Sequence, residues 1–552
     1  MKKSKISFGI LVMCFFILNT LQLKAQTTAM TLKVVTPGTL STLLGSYEDS
    51  VQNLTVSGPL NGKDIVTICN MRSLSVLNMA DADIVKGGGA YYETWETADS
   101  TISIGMFYEC DWLTSITLPK SVTRIDAFAF ALCNGLKSMT IPVKVNYIDY
   151  TAFLGCFNLS KILADSSNVH YSSFEDVLFN KDTTCLVAFP YAKASQYTIP
   201  NGVTTISQGA FFYCMDLTLL TMPESLLNIG NDAFYYCNSL AKFIVKTENP
   251  KYCSVNGVLF NKDTTSLVVC PNGKSGQYSI PKSVKTIEFG AFNNCDKLTT
   301  LALLDSITNI DASFFIGCWS LSKYSVSNNN PKYCSRDGVL FNKDTTLLVA
   351  YPVKKSSQYT IPKSVTTIGD YAFALSGLTS ITLPVGITSI GKYAFESSSS
   401  MTLVTLGENV KSIGMGAFYY CDKLAKIKCN MKTAPTISSD VFEYVNQNTC
   451  KLYVPNGCLS DYSSKSVWKN FTTIIEDAAA DVKPIDNNLR SVYGANGNVV
   501  ISTNDAASVM IYSLSGQKVY ENANLGKYTE IPLNKGLYVV RMNGKSTKVM
   551  VR

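Results

Sequence analysis

Proton transfer and transition-metal binding draw first on histidine, and this chain of 552 residues supplies one, His170. Its counterparts one and two long repeats further on are Lys251 and Lys332, which marks a variable polar position expected at the surface. A Ser-His-Asp triad or a histidine metal site would need this residue, and no nucleophile or ligand accompanies it. Carboxylate pairs of the glycosidase kind can converge from any part of a chain, and no spacing of Asp and Glu favours one pair here. The reading is therefore of a chain with no catalytic residues, no metal ligands and no cofactor.

Cysteine is the other reactive type, with 17 copies. Eight close the pattern Phe-x-x-Cys, at Phe107/Cys110, Phe130/Cys133, Phe153/Cys156, Phe211/Cys214, Phe234/Cys237, Phe292/Cys295, Phe315/Cys318 and Phe418/Cys421. Serine replaces the thiol at Phe373/Ser376 and Phe395/Ser398. Adjacent copies stand 23 residues apart, or 22 between Phe373 and Phe395. Side chains at one phase of a stacked repeat run parallel at about 4.8 Å. A disulfide wants Cβ atoms near ~3.8 Å and converging, and a straight row of thiols does not make a zinc tetrahedron. These cysteines are expected to be buried, reduced and packed as small apolar residues. Cys270 supports this, since Phe189 and Tyr351 hold its place in the other copies. Cys450 and Cys458 form the one pair considered for a bridge.

What positions these residues is the repeat itself. Three residues after each Cys comes an apolar cluster, as in Leu113-Ile116-Leu118, Leu136-Met139-Ile141 and Leu378-Ile381-Leu383. The last two apolar positions alternate, which predicts a short strand with one buried face. A proline often follows (Pro119, Pro142, Pro223, Pro384) and ends the strand, because it has no N–H to give to the ladder. The Ala-Phe segment before each Cys is expected to be a turn-like return on the opposite side. One unit cannot bury its own apolar face, so units must stack into a solenoid with a continuous core.

A longer period overlies the short one. Cys156, Cys237 and Cys318 are separated by 81 residues each time. Within each interval stands Val-Leu-Phe-Asn-Lys-Asp-Thr-Thr, at 177–184, 258–265 and 339–346. This reads as strand, turn, strand: a β-hairpin carried on the solenoid. The Asp and Thr of its turn are expected to bond the local backbone.

The ends differ from the middle. Lys2, Lys3 and Lys5 precede a mostly apolar stretch from Ile6 to Leu23, and cleavage is expected between Ala25 and Gln26. The apolar run is too short for a retained span. Lys2, Lys3, Lys5 and Lys24 supply four of the net +7 charges, so the mature chain gives no argument for nucleic acid. From Ser491 onward, alternating strands and glycine turns predict a small all-β module.

The pattern Ala-Phe-x-x-Cys-x-x-Leu-x-x-Ile-x-Leu-Pro resembles the BspA-like class of leucine-rich repeat, and the C-terminal module resembles a type IX secretion sorting domain. The resemblance of the tail rests on Ser-Gly-Gln-Lys-Val with Gly516, on Lys-Gly-Leu-Tyr-Val-Val with Gly536 and Tyr538, and on a terminal Lys-Val-x-Val at Lys548. Together with the N-terminal segment and the change of composition near Asp477, the two resemblances give an expected organisation of a signal peptide at 1–25, an N-terminal cap at 26–100, leucine-rich repeats at 101–430, a C-terminal cap at 431–476, a linker at 477–490 and a sorting domain at 491–552. The implied fold class is a β-rich leucine-rich repeat solenoid with hairpin insertions plus a small C-terminal sandwich-like domain. The implied function is a non-enzymatic, adhesin-like protein, secreted or on the outer surface of a Gram-negative bacterium. Its partners would be protein or cell-surface ligands and the type IX secretion machinery, with no nucleic acid and no transmembrane anchor. The alternatives are a self-associating envelope component and, more remotely, a glycan-acting hydrolase. Bacteria with such secretion often O-glycosylate Asp-Ser/Thr-x motifs, which implies Thr183, Thr264 and Thr345 as acceptors, accessible at the hairpin tips.

Overall fold

The computed structural model describes residues 28–310, 312–477, 489–495, 497–503, 507–525, 528–542 and 545–551. The expected signal segment with Ala25 and Gln26, and most of the expected linker (478–488), lie outside the described residues. The chain forms two compact units, residues up to 343 with 352–354, and residues 344–351 with 355–552.

The first unit opens with parallel strands Ala29–Lys33 and Asn53–Leu60, followed by the helix Gly62–Asn70. Asn61 and Asp64 close a capping box on that helix, the Asp64 carboxylate accepting from the backbone of Asn61 at 2.9 Å. The same carboxylate, wholly buried, accepts from the Gly38 and Leu40 N–H groups at 2.6 and 2.9 Å, so one side chain ties the segment after the first strand to the first turn of the helix.

Stacked turns follow. Ser138–Ile141 pairs parallel with Lys161–Ala164 at a 23-residue offset, and Pro142 ends the strand. A second row of two-residue strands, Thr101–Ile102, Arg124–Ile125 and Tyr147–Ile148, pairs at the same offset. The returns also join turn to turn, through Phe107 N–H to Ala129 O and Phe130 N–H to Ala152 O, both at 2.8 Å. Every side of a turn is thus bonded to the next, which is how a solenoid satisfies its backbone. The second unit repeats this, with Ser380–Thr382, Leu403–Leu406, Lys426–Cys429, Lys451–Pro455 and Thr473–Asp477 in one parallel sheet.

Phe rings run through the interior as near-parallel stacks. Phe107, Phe130 and Phe153 have centroids 5.5 and 5.8 Å apart, and Phe373, Phe395 and Phe418 have theirs 5.0 and 5.1 Å apart. Beside them run the thiols, and these do more than fill space. Cys133 Sγ donates to Phe107 O at 2.9 Å, Cys156 to Phe130 O at 3.0 Å, Cys237 to Phe211 O at 3.0 Å and Cys318 to Phe292 O at 3.1 Å. Ser398 makes the same bond to Phe373 O at 2.9 Å, which explains why serine can hold this position. All sixteen cysteines among the described residues are thiols, Cys450 and Cys458 included. Burial pushes the Cys237 and Cys421 thiols up to about 12, so they stay protonated and remain donors. Cys133→Ser is accordingly expected to leave stability nearly unchanged, whereas Cys133→Ala costs about 1 kcal/mol for the lost bond, Phe107 O keeping only the Cys110 N–H at 3.2 Å. Urea unfolding of the two variants side by side checks this, and equal losses would contradict the donor role.

Each expected hairpin proves to be three strands. Tyr171–Phe174 pairs antiparallel with Val177–Asn180, which pairs with Cys185–Ala188. Tyr252–Val255, Val258–Asn261 and Ser266–Val269 repeat the arrangement. The extra strand turns at Glu175-Asp176, Asn256-Gly257 and Asp337-Gly338, all with positive φ, as a type I′ turn requires. The last strand rejoins the solenoid, Cys185 and Leu186 pairing parallel with Thr205 and Ile206.

A buried asparagine stands at each departure point. Asn249 donates through Nδ2 to Pro223 O and Leu226 O at 2.9 and 2.8 Å, and accepts through Oδ1 from Lys251 N–H and Tyr252 N–H at 2.9 and 2.7 Å. Asn168 and Asn330 make the equivalent four bonds, and all three are wholly buried.

The C-terminal part has two antiparallel sheets. One holds Leu489–Ala495, Asn498–Thr503 and Tyr528–Pro532; the other holds Lys518–Leu525, Ala507–Ser513, Gly536–Met542 and Lys545–Val551. Val499, Ile501, Val509, Ile511, Val540 and Val551 form its own core.

Candidate binding surface

The return segments that bury Phe and Cys must also present the residues between them. The residue just before each Cys adopts a left-handed backbone, as at Glu109, Tyr213, Tyr236 and Tyr420. This turns its side chain away from the core, and where it is aromatic the rings of successive turns meet face to face. In the first unit Tyr213 stacks on Tyr236 at 4.5 Å and Phe212 on Tyr235 at 5.5 Å. In the second, Tyr420 stacks on Tyr444 at 4.0 Å, and Tyr371 and Tyr393, which stand two residues before the Phe of their turns, stack at 5.2 Å. Tyr420 and Tyr444 are 46% and 52% exposed, so their edges and hydroxyls reach solvent. Partial burial, then the neighbouring Tyr235 and Tyr213, pushes Tyr236 up to about 12, and Tyr213 and Tyr420 are raised as well. These phenols therefore remain neutral and able to donate hydrogen bonds.

Glycine makes room for several of these rings. A Cβ at Gly209 would meet Tyr150 Cδ2 at 2.4 Å, and one at Gly416 would meet Tyr393 Cε1 at 2.3 Å; both have positive φ. Gly105 lies equally close under Trp95.

Where two of these rings are replaced, a cleft opens. Tyr150 lies against Gly209 and reaches Phe212, their rings 6.3 Å apart. In the next long repeat the corresponding positions are Asn231 and Asn293. With both rings gone, a cleft of about 210 Å³ remains, lined by Asn231, Asp232, Tyr235, Tyr252, Glu288 and Phe289. Phe289 is 79% exposed at its rim, and the Asn293 Oδ1 atom inside is buried without a hydrogen-bond partner.

The residues singled out from sequence are distributed otherwise. His170 is exposed, its N–H bonded to Asn168 Oδ1. Among the described residues no group of three or more His, Cys, Asp and Glu side chains is placed to hold a metal ion. In the Asp-Thr-Thr turns, Asp263 Oδ1 accepts from Thr265 N–H and hydroxyl at 3.0 and 2.6 Å, which holds its carboxyl below the usual range. Thr183, Thr264 and Thr345 all have positive φ, but the expectation of equal access fails. Thr183 is exposed, whereas Thr264 bonds Ser283 at 2.9 Å and Thr345, 2% exposed, bonds Ser364 at 2.9 Å. Gly202 takes the serine's place in the first copy, leaving Thr183 to bond the Asp182 carbonyl. In the tail, Gly516 has φ +84, the Tyr538 hydroxyl donates to Asn534 O at 2.9 Å, Gly536 opens a strand and Lys548 is exposed. No helix among the described residues is long and apolar enough to cross a membrane.

The aromatic rows and the cleft were missed from sequence, although the tyrosines beside the cysteines carried a signal: Phe-Tyr-Cys at 212–214 and Tyr-Tyr-Cys at 235–237 and 419–421 recur at the repeat phase.

Comparison with known proteins agrees with the turn geometry. The BspA type leucine rich repeat region matches in six copies over residues 100–186, 182–265, 270–337 and 350–463, more than half the chain. A secretion system C-terminal sorting domain matches residues 494–552. Among solved structures, a leucine-rich repeat protein from Eubacterium ventriosum is 21% identical, covering 51% of this chain and 74% of its own, at a TM-score of 0.36. A leucine rich cell surface protein from Faecalibacterium prausnitzii is 23% identical, covering 54% and 79%, at 0.33. The pneumococcal vaccine antigen PcpA is 19% identical, covering 77% and 79%, at 0.29. No curated protein matches the chain.

Proposed function

Since this chain belongs to the BspA-type leucine-rich repeat family and ends in a secretion sorting domain, we propose that it is a non-enzymatic, adhesin-like binding protein displayed on the outer cell surface. Its partner on this reading is a protein of a host or neighbouring cell. The observation that carries it is the stacked tyrosine pair on the return side of the turns in each unit, exposed at Tyr420 and Tyr444 and half-buried at Tyr213 and Tyr236. Folding alone asks for buried Phe and Cys at this phase, not for exposed phenols beside them. Tyrosine supplies large, rigid contact area at low conformational cost and keeps a polar tip, which is why it is enriched at interfaces. Repetition extends such a surface turn by turn.

The test is adhesion of purified protein to immobilised matrix proteins and epithelial cells. Replacing Tyr420 and Tyr444 together by serine is expected to weaken binding about tenfold or more, as loss of an interface anchor does. The fold should tolerate the change because both rings stand outside the core. Unchanged adhesion in this variant and in the matching Tyr213/Tyr236 double variant would sink the reading. Self-association of the protein in sedimentation without any added partner would favour an envelope component instead.

A further inference from the structure

The thiols of the repeat are held by carbonyl oxygens of the preceding turn, but the first of them has a different neighbour. Cys110 opens the Phe-x-x-Cys series, so no Phe-bearing turn precedes it. In that place lies the helix Gly62–Asn70, and its Cys69 directs Sγ toward the same point. The two sulfur atoms are 3.6 Å apart across a sequence separation of 41 residues. Cys69 also donates to Met106 O at 3.3 Å, which fixes its side chain against the turn that carries Cys110. Cys69 is half-buried and Cys110 buried, so an oxidant reaches one sulfur and not the other.

We propose that Cys69 and Cys110 are a disulfide-forming pair that locks the helix onto the first solenoid turn once the chain has left the cytoplasm. Export places the chain where disulfides form and persist, and to that extent the proposal rests on the sorting domain. The co-reactant is a disulfide donor, either a protein oxidase or a small-molecule disulfide. The Cys69 thiolate attacks one donor sulfur, forming a mixed disulfide and releasing one donor thiol. Cys110 then attacks the Cys69 sulfur, and its proton passes to the departing donor sulfur, which leaves as the second donor thiol. Two protein thiols are oxidised to one disulfide, and the donor disulfide is reduced to two thiols.

Several observations set this pair apart. Hydrogen bonding to Cys69 and burial keep Cys110 protonated, so the first attack falls to the more exposed Cys69, while the Arg72 guanidinium favours the Cys110 thiolate as it forms. The other repeat thiols, such as Cys133 and Cys156, are wholly buried and committed to carbonyls. A cross-link here also has a mechanical use. The end of a repeat array has a neighbour on one side only and is where it frays.

The experiment treats the purified full chain with oxidised glutathione. The expected result is a mass lower by two hydrogen atoms, a Cys69–Cys110 link in the peptide map, and protection of both from alkylation. The thermal midpoint should rise by roughly 5 °C and fall back with dithiothreitol. Cys69→Ser should abolish the mass change and the reductant-sensitive shift, while Cys133→Ser should keep both. A link that maps instead to Cys133–Cys156, or free alkylation of Cys69 and Cys110 after oxidation, would overturn the proposal. Because isolated protein is used, neither result depends on whether the tyrosine rows bind a partner.

Discussion

A chain ending at Arg490 is expected to stay protected from protease added outside intact cells, while the full chain is expected to be cleaved. The difference is expected to be close to all-or-none, because a sorting signal is either present for the export machinery or absent. The structure lets this result be read without ambiguity. The sorting module has seven strands and a core of its own, around Val499, Ile511 and Val540. Among the described residues, the last solenoid strand, Thr473–Asp477, pairs with Lys451–Pro455 and not with any strand of that module. Truncation after Arg490 therefore leaves every solenoid pairing in place, and circular dichroism of the purified fragment should show its sheet intact. Protection of both chains would mean that the tail does not carry the protein outward, and the partners would then lie inside the envelope.

Asn249→Ala is expected to lower stability by about 4 kcal/mol. One side chain satisfies four backbone groups there, two carbonyls of the preceding turn and two N–H groups at the start of the three-stranded excursion. Each buried group left without a partner costs about 1–3 kcal/mol, and water entering the vacated space recovers part of the sum. Asn249→Asp should do no better, since a carboxylate keeps the acceptor but loses both donors in a site wholly cut off from solvent. Urea unfolding gives the total. Hydrogen exchange at Lys251 and Tyr252 locates it, because the strand Tyr252–Val255 loses its anchor first. A loss below about 1 kcal/mol with exchange unchanged would show that the backbone holds this corner without the side chain.

Much of this architecture was legible because it is periodic. The Phe-x-x-Cys spacing set the turn length, the Leu-x-x-Ile-x-Leu clusters marked one strand of each turn, and the change of pattern near residue 490 announced a separate module. What escaped were relations between turns. A one-dimensional pattern tells which residues share a phase, but not what each faces one turn away. Cysteine was thus read as a small apolar residue, although Ser376 and Ser398 at the same phase already hinted at a hydrogen-bond donor. The asparagines at 168, 249 and 330 recur at the long period, and they passed unnoticed because buried polar residues have no sequence signature until their partners are seen. Asn256-Gly257 and Asp337-Gly338 are strong turn signals, and they would have given the extra strand. Thr345 was misjudged because the hydroxyl it meets, that of Ser364, lies nineteen residues downstream.

The glycines beneath the surface rings constrain how such a protein can change over generations. Tyr150 and Gly209, Tyr393 and Gly416, and Trp95 and Gly105 are pairs in which one partner's bulk occupies the space the other lacks. A lineage acquires a ring at one of these places only after the facing position has become glycine, since any side chain there collides with it. Once the ring is lost only the cost of its positive φ still holds the glycine, and any side chain that replaces it closes the route back. The recognition surface of a repeat array is then historically contingent: two descendants with identical core patterns can be unable to exchange aromatic rows by single substitutions.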